Sequence, residues 1–532
     1  MNKLFTILRP LFLSSWHPFA WFILVGFLVY GQTLSFGFSY FDDNVLIVDR
    51  VGELRNFSQM GTIFKTDVFH LDGKSASYYR PFLILSFMLN AFFSAGNPFG
   101  YHLFNIIIHL VAASLVFLLL VRLRFPKLKS FCLSLLFLVH PALVQAVAWL
   151  PGRNDSLLTI FILSSFLFFI NYLKTSRLRD YSWHLVFLGC ALLTKESAII
   201  FPFICVCYVF LLRIEDRGRL SLKVYGGWLA CLAAWLFLKM GATQTPSVFL
   251  DAWVKFIFVN SPALLLYLGK IFFPLNLCVL PILRDSHLWF GIAAFVLIAT
   301  LILFAQHKNY KVMAFGGLWF LSFLFFSLVR STSLLIPADF LEHRLYLPII
   351  GLIIILAQLK PFPYLQKRNV AAALLFTIYF CIFVAINIVY TQNFKNRLSF
   401  WQNAIKHSPH SPLAHANMGA MYYLEGKKEA ASYEYQQALS LNPRQEMVHN
   451  NLGLILMHEG KGLRAEEEFL VEIAINPRYA DVYYNFGLLR YRQGRQEEAY
   501  QLMKKTLEIS PSHAGAQEFL AGIGDSDSKG QE

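Results

Sequence analysis

The chain has 532 residues, 56% of them hydrophobic, including 53 Phe, and a formal net charge of +14. That much apolar surface excludes an ordinary soluble domain and points to an integral membrane protein. Residues 411–532 hold 12 Lys/Arg against 17 Asp/Glu, whereas residues 1–410 hold 34 against 15, so the positive excess belongs to the apolar part. It reads as membrane topology, and no nucleic-acid partner is expected.

A basic start, with Lys3 and Arg9, precedes an apolar run at 19–31 that lacks a small-residue cleavage site and reads as a retained first span. Runs of span length recur near 17–35, 102–121, 130–148, 155–173, 182–196, 197–212, 222–241, 287–305, 311–329, 344–359 and 369–391. These predict an all-α, polytopic helix bundle of about 11 spans. Lys and Arg concentrate in loops 122–130, 174–180, 213–223, 306–311 and 360–368, which alternation places together on the cytoplasmic side. The same alternation puts a first loop at 36–101 and everything after the last span outside. Two further apolar stretches, 81–95 and 253–280, carry flanking or internal charge (Arg80, Lys255, Lys270) and read as surface helices. The seven cysteines all lie in the membrane part, without a disulfide framework or a CxxC pair.

Within the membrane part, ionisable residues stand out because burying one unpaired costs roughly 2.5–3.5 kcal/mol or more. Asp42 and Asp43 are adjacent, just beyond the first span. Partial desolvation and mutual repulsion there would raise one carboxyl pKa and make it a competent base. Asp42, first beyond Tyr40-Phe41 and nearer the membrane, is the expected base, and Asp43 is expected to brace the loop. Arg80, Arg153, Asp155, Lys195, Glu196, Glu342 and Arg344 are candidates for binding a donor phosphate or sugar, with the cations stabilising charge on a phosphate leaving group. The plainer alternatives are a helix-capping Asp155, a self-neutralised Lys195-Glu196 hairpin and a snorkelling Arg344. His102, His109, His140 and Tyr346 are candidates for lining the site. The histidines lack metal-binding spacing, so no metal is expected, and no cofactor beyond a lipid-linked sugar substrate.

After the last span a period of 34 residues appears. Asn417, Asn451 and Asn485 are in register, as are Gly419/453/487, Gly426/460/494, Ala431/465/499 and Pro443/477/511. This is the pattern of tetratricopeptide (TPR) repeats, paired helices stacked into an α-solenoid. The expected division is a membrane domain over 1–397 and a repeat array over 398–521, made of a half repeat at 398–409 and repeats at about 410–443, 444–477 and 478–511. A frayed tail is expected over 522–532.

The ordered set Tyr40-Phe-Asp-Asp43, Tyr79-Arg-Pro81, Gly100-Tyr-His-Leu-Phe-Asn-Ile-Ile-Ile-His109, His140 to Asp155, Leu193-Thr-Lys-Glu196 and Glu342-His-Arg-Leu-Tyr-Leu-Pro348, followed by the repeats, resembles the transmembrane and TPR-containing O-mannosyltransferase family of the GT-C glycosyltransferase superfamily. The resemblance implies a metal-independent, inverting transfer of mannose or another hexose from a polyprenyl- or dolichyl-phosphate donor to a protein Ser or Thr hydroxyl, with Asp42 and Asp43 as the catalytic acidic pair. It also places Lys195, Glu196, Glu342 and Arg344 facing the donor, makes the repeats the acceptor-binding part, and sets the site in the first outer loop. The segment reads Gly152-Arg-Asn-Asp155 where the family more often has Gly-Arg-Ala-Asp, and the array is shorter than in animal members. A short array without cysteines fits a bacterial inner-membrane protein with a periplasmic site and repeats, or an ER-membrane protein in a eukaryote. Rival readings are a GT-C transferase that modifies a lipid, which would not need a repeat array, and a non-enzymatic membrane-anchored TPR scaffold, which would leave the buried charges unexplained.

Overall fold

The computed structural model describes residues 14–69, 78–243, 250–305, 308–329, 335–359 and 369–528. The basic start, the loop cations Lys360, Lys367 and Arg368, and the last four residues of the tail lie outside them. Among the described residues the structure is helical throughout, with one isolated bridge between Ile282 and Asp339. The chain forms two compact units that divide between Asn403 and Ala404. This lies beyond the expected 397/398 because Phe400 and Trp401 pack against Phe41, with ring centroids 5.6 and 5.4 Å away.

Among the described residues seven helices of the first unit are long and apolar enough to cross a membrane: His17–Ser35, Pro98–Arg122, Leu150–Thr175, Leu222–Ala242, Lys255–Phe272, Tyr310–Leu328 and Ala373–Phe394. An eighth is broken, Lys127–Val139 followed by Pro141–Ala148, with a 55° bend. Pro141 causes the break by pushing His140 into extended backbone (φ −65°, ψ 121°), and the His140 ring caps the next turn by accepting from the Ala142 amide at 3.2 Å. The chain is therefore an integral membrane protein, and among the described residues seven or eight helices have the length and apolarity of a span, so the expected eleven are not shown. The runs expected at 182–196, 197–212, 287–305 and 344–359 form the shorter helices Leu178–Leu192, Glu196–Leu212, Trp289–Phe304 and Ile349–Gln358. Conversely, Lys255–Phe272, expected on the surface, has the length and apolarity of a span, and its Lys270 is paired internally with Glu342.

Close helix crossings order the bundle. A Cβ on Gly316 would meet the Gly351 carbonyl at 2.5 Å, and one on Gly351 the Gly316 carbonyl at 2.3 Å, so helices Tyr310–Leu328 and Ile349–Gln358 touch backbone to backbone. Helix Pro98–Arg122 packs against the first span, the broken span and helix Arg153–Thr175. Side chains near its start and near Arg153 therefore meet at one end of the bundle.

The second unit is a row of helix pairs: Pro412–Leu424 with Lys428–Leu441, Val448–His458 with Gly462–Ile475, and Ala480–Arg492 with Gln496–Ile509, then Ala514–Ser528. The in-register glycines have two separate physical causes. Gly426, Gly460 and Gly494 turn between paired helices at φ +75° to +76°, a left-handed conformation that glycine adopts without steric cost. Gly419 and Gly453 sit where a Cβ would approach the Tyr435 and Phe469 rings at 2.6 Å. The tail expected to fray from 522 is helical through Ser528, continuing the helix that starts at Ala514.

Candidate functional site

The acidic loop leaves the first span through two left-handed residues, Tyr40 (φ 58°) and Asp42 (φ 64°). Such backbone is uncommon for residues with a Cβ and persists only where surrounding contacts determine it. Asp43 supplies those contacts. Its carboxylate is 1% exposed and accepts from the Ser39 amide at 2.6 Å, the Ser39 hydroxyl at 3.0 Å and the Phe41 amide at 2.9 Å. Burial pushes its pKa up to about 6, against the lowering effect of these hydrogen bonds. Desolvation thus falls on Asp43, not on Asp42 as the order of residues suggested, and half-buried Asp42 is held in place by its neighbour.

The loop is tied to the segment entering helix Arg153–Thr175. The Trp149 indole N–H donates to the Phe41 carbonyl at 2.8 Å and its ring stacks on Phe41, centroids 5.3 Å apart. Trp149 in turn lies 5.2 Å from the His343 ring, whose Nε2 is 3.7 Å from Asp155. Gln145 accepts from the His343 amide at 3.1 Å and donates to the Val279 carbonyl at 2.8 Å.

From Asp155 a row of paired charges begins. Lys195 Nζ reaches both Asp155 oxygens, at 2.7 and 2.8 Å. Glu196 accepts from Arg80 Nη2 at 3.0 Å and from Arg80 Nε at 3.2 Å. Asn154, in the amide orientation that satisfies both partners, donates to the Thr194 carbonyl and accepts from Arg80 Nη1. Arg344 is paired with Asp339 at 2.5 Å and near enough to act on the Lys195 charge. The three cations keep between 11% and 17% of their side chains exposed. They are mostly but not fully enclosed, and their remaining N–H groups can meet an anionic group.

Six expected residues lie apart from this row. Arg153 is fully buried, its guanidinium committed to the Asn105 side chain (2.6 Å), Ser86 (3.2 and 3.3 Å) and the Tyr101 carbonyl (2.9 Å), between the Phe87 and Phe104 rings. It holds helices together rather than facing a cavity. Glu342 is fully buried and engages Lys270 and the Cys278 amide. His140 closes the broken span, its Nε2 donating to the Ile271 carbonyl at 3.0 Å. His109 donates to the Leu138 carbonyl at 2.8 Å, leaving Nδ1 to accept from the Tyr346 hydroxyl at 2.5 Å, so His109 and Tyr346 form one buried internal pair. His102 lies beside Phe36 and Gly37 under the acidic loop, with Nδ1 buried and without a hydrogen-bond partner among the described residues.

Of the residues that sequence reasoning missed, Gln145, Trp149, Asn154 and His343 lie inside motifs it had quoted, and Asp339 lies outside them. A lone aromatic or amide carries no charge anomaly to mark it, and only the tertiary contacts reveal its role. Among the described residues no three His, Cys, Asp or Glu side chains converge as metal ligands.

Residues 81–242 match the dolichyl-phosphate-mannose-protein mannosyltransferase family, and residues 419–460 match the TPR repeat. Protein O-mannosyl-transferase Tmtc1 of Drosophila melanogaster is 30% identical over 220 residues, 40% of this chain and 25% of that one. Human protein O-mannosyl-transferase TMTC3 is 33% identical over 252 residues, 46% of this chain and 26% of that one. The chain is a distant relative of the protein O-mannosyl-transferases. It spans about a quarter of the length of these curated relatives. Asp155, Lys195 and Glu196 fall inside the mannosyltransferase-like stretch, and the Asp42-Asp43 loop and Arg344 fall outside it. Among solved structures, the TPR protein YrrB, described as having an unusual peptide-binding site, aligns over 42% of this chain and 97% of its own at 16% identity, with a TM-score of 0.23, too low to carry an argument.

Proposed function

We propose that this protein is a membrane-embedded GT-C-type glycosyltransferase that moves mannose or another hexose from a dolichyl- or polyprenyl-phosphate donor to a Ser or Thr hydroxyl of a protein, with the repeats holding the acceptor. The observation that carries this reading is the tie between Phe41 and Trp149. It connects the acidic loop to the paired charges that begin at Asp155, and the Asp155–Lys195 pair and Glu196 lie in the mannosyltransferase-like stretch.

In the proposed reaction Asp42 takes the proton of the acceptor hydroxyl as its oxygen bonds to the anomeric carbon. The bond from that carbon to the donor phosphate breaks, and its electron pair leaves with the lipid phosphate. Arg80, Lys195 and Arg344 meet the charge that develops there, and Asp155, Glu196 and Asp339 hold them oriented in advance. One carboxylate acting as base, with no covalent nucleophile, gives inversion.

The site end carries Asp155 at a helix start, and the same helix runs to the basic loop 174–180. The charge rule makes that loop cytoplasmic and the site extracytoplasmic. It gives the repeats the same side, because the span before them starts after the basic loop 360–368. This is the placement of a bacterial inner-membrane protein with a periplasmic site.

The test is direct. Purified full-length protein is incubated with dolichyl-phosphate mannose and an unfolded Ser/Thr-rich protein, and the acceptor is analysed by mass spectrometry. A hexose added by the wild type and not by Asp42→Asn supports the reading, whereas a lipid acceptor modified in place of the protein supports the lipid-modifying alternative. No transfer to either class of acceptor overturns the enzymatic reading.

A further inference from the structure

At the other end of the bundle a second polar site is assembled from three separate loops. Helix Pro98–Arg122 starts four residues before His102 and ends at Arg122, about 35 Å away at 1.5 Å per residue. There Arg122, Arg124, Tyr208, Arg213, Glu215 and Lys311 line a cleft of about 330 Å³. Lys174 stands beside it, close enough for Arg122, Arg213 and Arg124 to act on its charge.

The bland account is that these cations complement helix C-termini and mark the cytoplasmic face. It accounts for their sign and not for their arrangement. The acidic groups in and beside the cleft are already committed, Glu215 at 2.8 Å to Arg213, and Asp216 at 2.7 Å to Arg213 and 3.6 Å to Arg219. Among the described residues Arg122, Arg124, Lys174 and Lys311 form no ion pair. Four cations from three loops therefore converge with only Glu215 and Asp216, both already bonded to arginine, to offset them, and that excess of like charge favours an added anion.

The backbone at Arg124 is the second observation. Helix Pro98–Arg122 ends in a Schellman turn, the Phe125 amide donating to the Leu120 carbonyl at 3.1 Å and the Arg124 amide to the Val121 carbonyl at 3.0 Å. The left-handed position of that turn, where glycine is the usual residue, holds Arg124 at φ 68°. A strained arginine replaces the easy residue at the place where its side chain lines the cleft.

We propose that this cleft binds a phosphate-bearing anion, the headgroup of an anionic membrane lipid or a free phosphate, at the membrane face opposite the candidate active site. Phosphate oxygens accept from several guanidinium and ammonium groups at once, which matches donors arriving from three directions. The cleft lies among the ends of helices Pro98–Arg122 and Phe201–Leu212 and the start of Tyr310–Leu328, where the charge rule sets the cytoplasmic headgroup level.

The experiment is native mass spectrometry of the full chain in neutral detergent, titrated in parallel with phosphatidylglycerol, phosphatidylcholine and inorganic phosphate. The variant is the double substitution R124G/K311Q. Glycine suits the left-handed turn, so the fold is retained and the melting temperature checks it. Wild type should retain phosphatidylglycerol over phosphatidylcholine, and the variant should bind it at least about tenfold more weakly. If inorganic phosphate alone binds wild type and displaces the lipid, and the variant loses both, free phosphate is the ligand. If phosphate leaves the lipid bound, the headgroup is the ligand. Equal binding of phosphatidylglycerol and inorganic phosphate by wild type and variant, or no preference for either anion over phosphatidylcholine, overturns the proposal.

Discussion

Trp149 donates its indole N–H to the carbonyl of Phe41 and stacks on that ring, joining a loop before the second long helix to the segment that enters helix Arg153–Thr175. The bond adds an outside support to the left-handed turn at Asp42, which Asp43 braces from within. The two aspartates are unequal, Asp43 buried and bonded to Ser39 and Phe41, Asp42 half-buried.

Asp42→Asn is expected to lower turnover by roughly two to four orders of magnitude, the range for loss of a general base, with donor binding largely kept. Asp43→Asn should act more mildly on turnover and more strongly on stability, since an amide cannot accept from both Ser39 and Phe41 as the carboxylate does. Steady-state kinetics and melting curves of both variants decide it. A dead Asp43→Asn beside an active Asp42→Asn would reverse the roles.

The pH dependence follows from burial. Folding raises the Asp43 pKa to about 6 from 3.8. Its contribution to stability is therefore fully present below pH 3.8 and is lost as pH rises through 6. The hydrogen-bonded carboxylate that shapes the loop dominates only above pH 6. Turnover should fall on the acid side with an apparent pKa near 6, and Asp43→Asn should flatten that limb of the pH–rate profile.

Lys195→Ala strands Asp155 almost buried without its partner and should destabilise the protein by about 3 kcal/mol. The double variant Asp155→Ala/Lys195→Ala should recover part of that stability while transfer stays low, because the cation is needed for the phosphate. Denaturant unfolding in detergent closes the cycle, and strictly additive losses would show that the pair does not interact.

Gly316→Ala and Gly351→Ala each push a methyl group into a facing carbonyl at 2.5 Å or less, and each should cost about 1–3 kcal/mol. Gly317→Ala, one residue on and with open space around its Cβ, is the control and should be tolerated in the same melting assay.

In the repeats, His415 sits 2.6 Å from Glu434, and one period later His449 sits 2.6 Å from Glu468. Burial works against their protonation, but the glutamates and the Pro409 and Pro443 carbonyls raise both pKa values above the usual histidine value. The stabilisation is therefore present below the ordinary histidine pKa of about 6.5 and is lost as pH rises through the higher folded values. Hydrogen exchange on the full chain should quicken in Pro412–Leu424 and Val448–His458 at alkaline pH, after correction for intrinsic exchange. The third repeat, with Tyr483 at the equivalent position, bonded to the Pro477 carbonyl, should not share the effect.

The sequence by itself determined that the chain is helical, that it lies in a membrane and that it ends in 34-residue repeats. Each of these is periodic or compositional and is written residue by residue. It also marked the stretches from which the site is built, because charge inside apolar sequence is conspicuous. The orientation of side chains within those stretches was decided by the tertiary structure. Glu342, His343 and Arg344 are consecutive, yet they engage Lys270, Gln145 with Asp155, and Asp339 respectively. On a short turn, successive side chains point in different directions. Arg153 and Asp155 diverge in the same way, one locked among carbonyls and the other joined to Lys195. The setting of Lys270 also depended on the fold: it lies in a span-length apolar helix and is paired with Glu342, 72 positions away, and the pairing of two distant charges leaves no local trace in a hydropathy pattern.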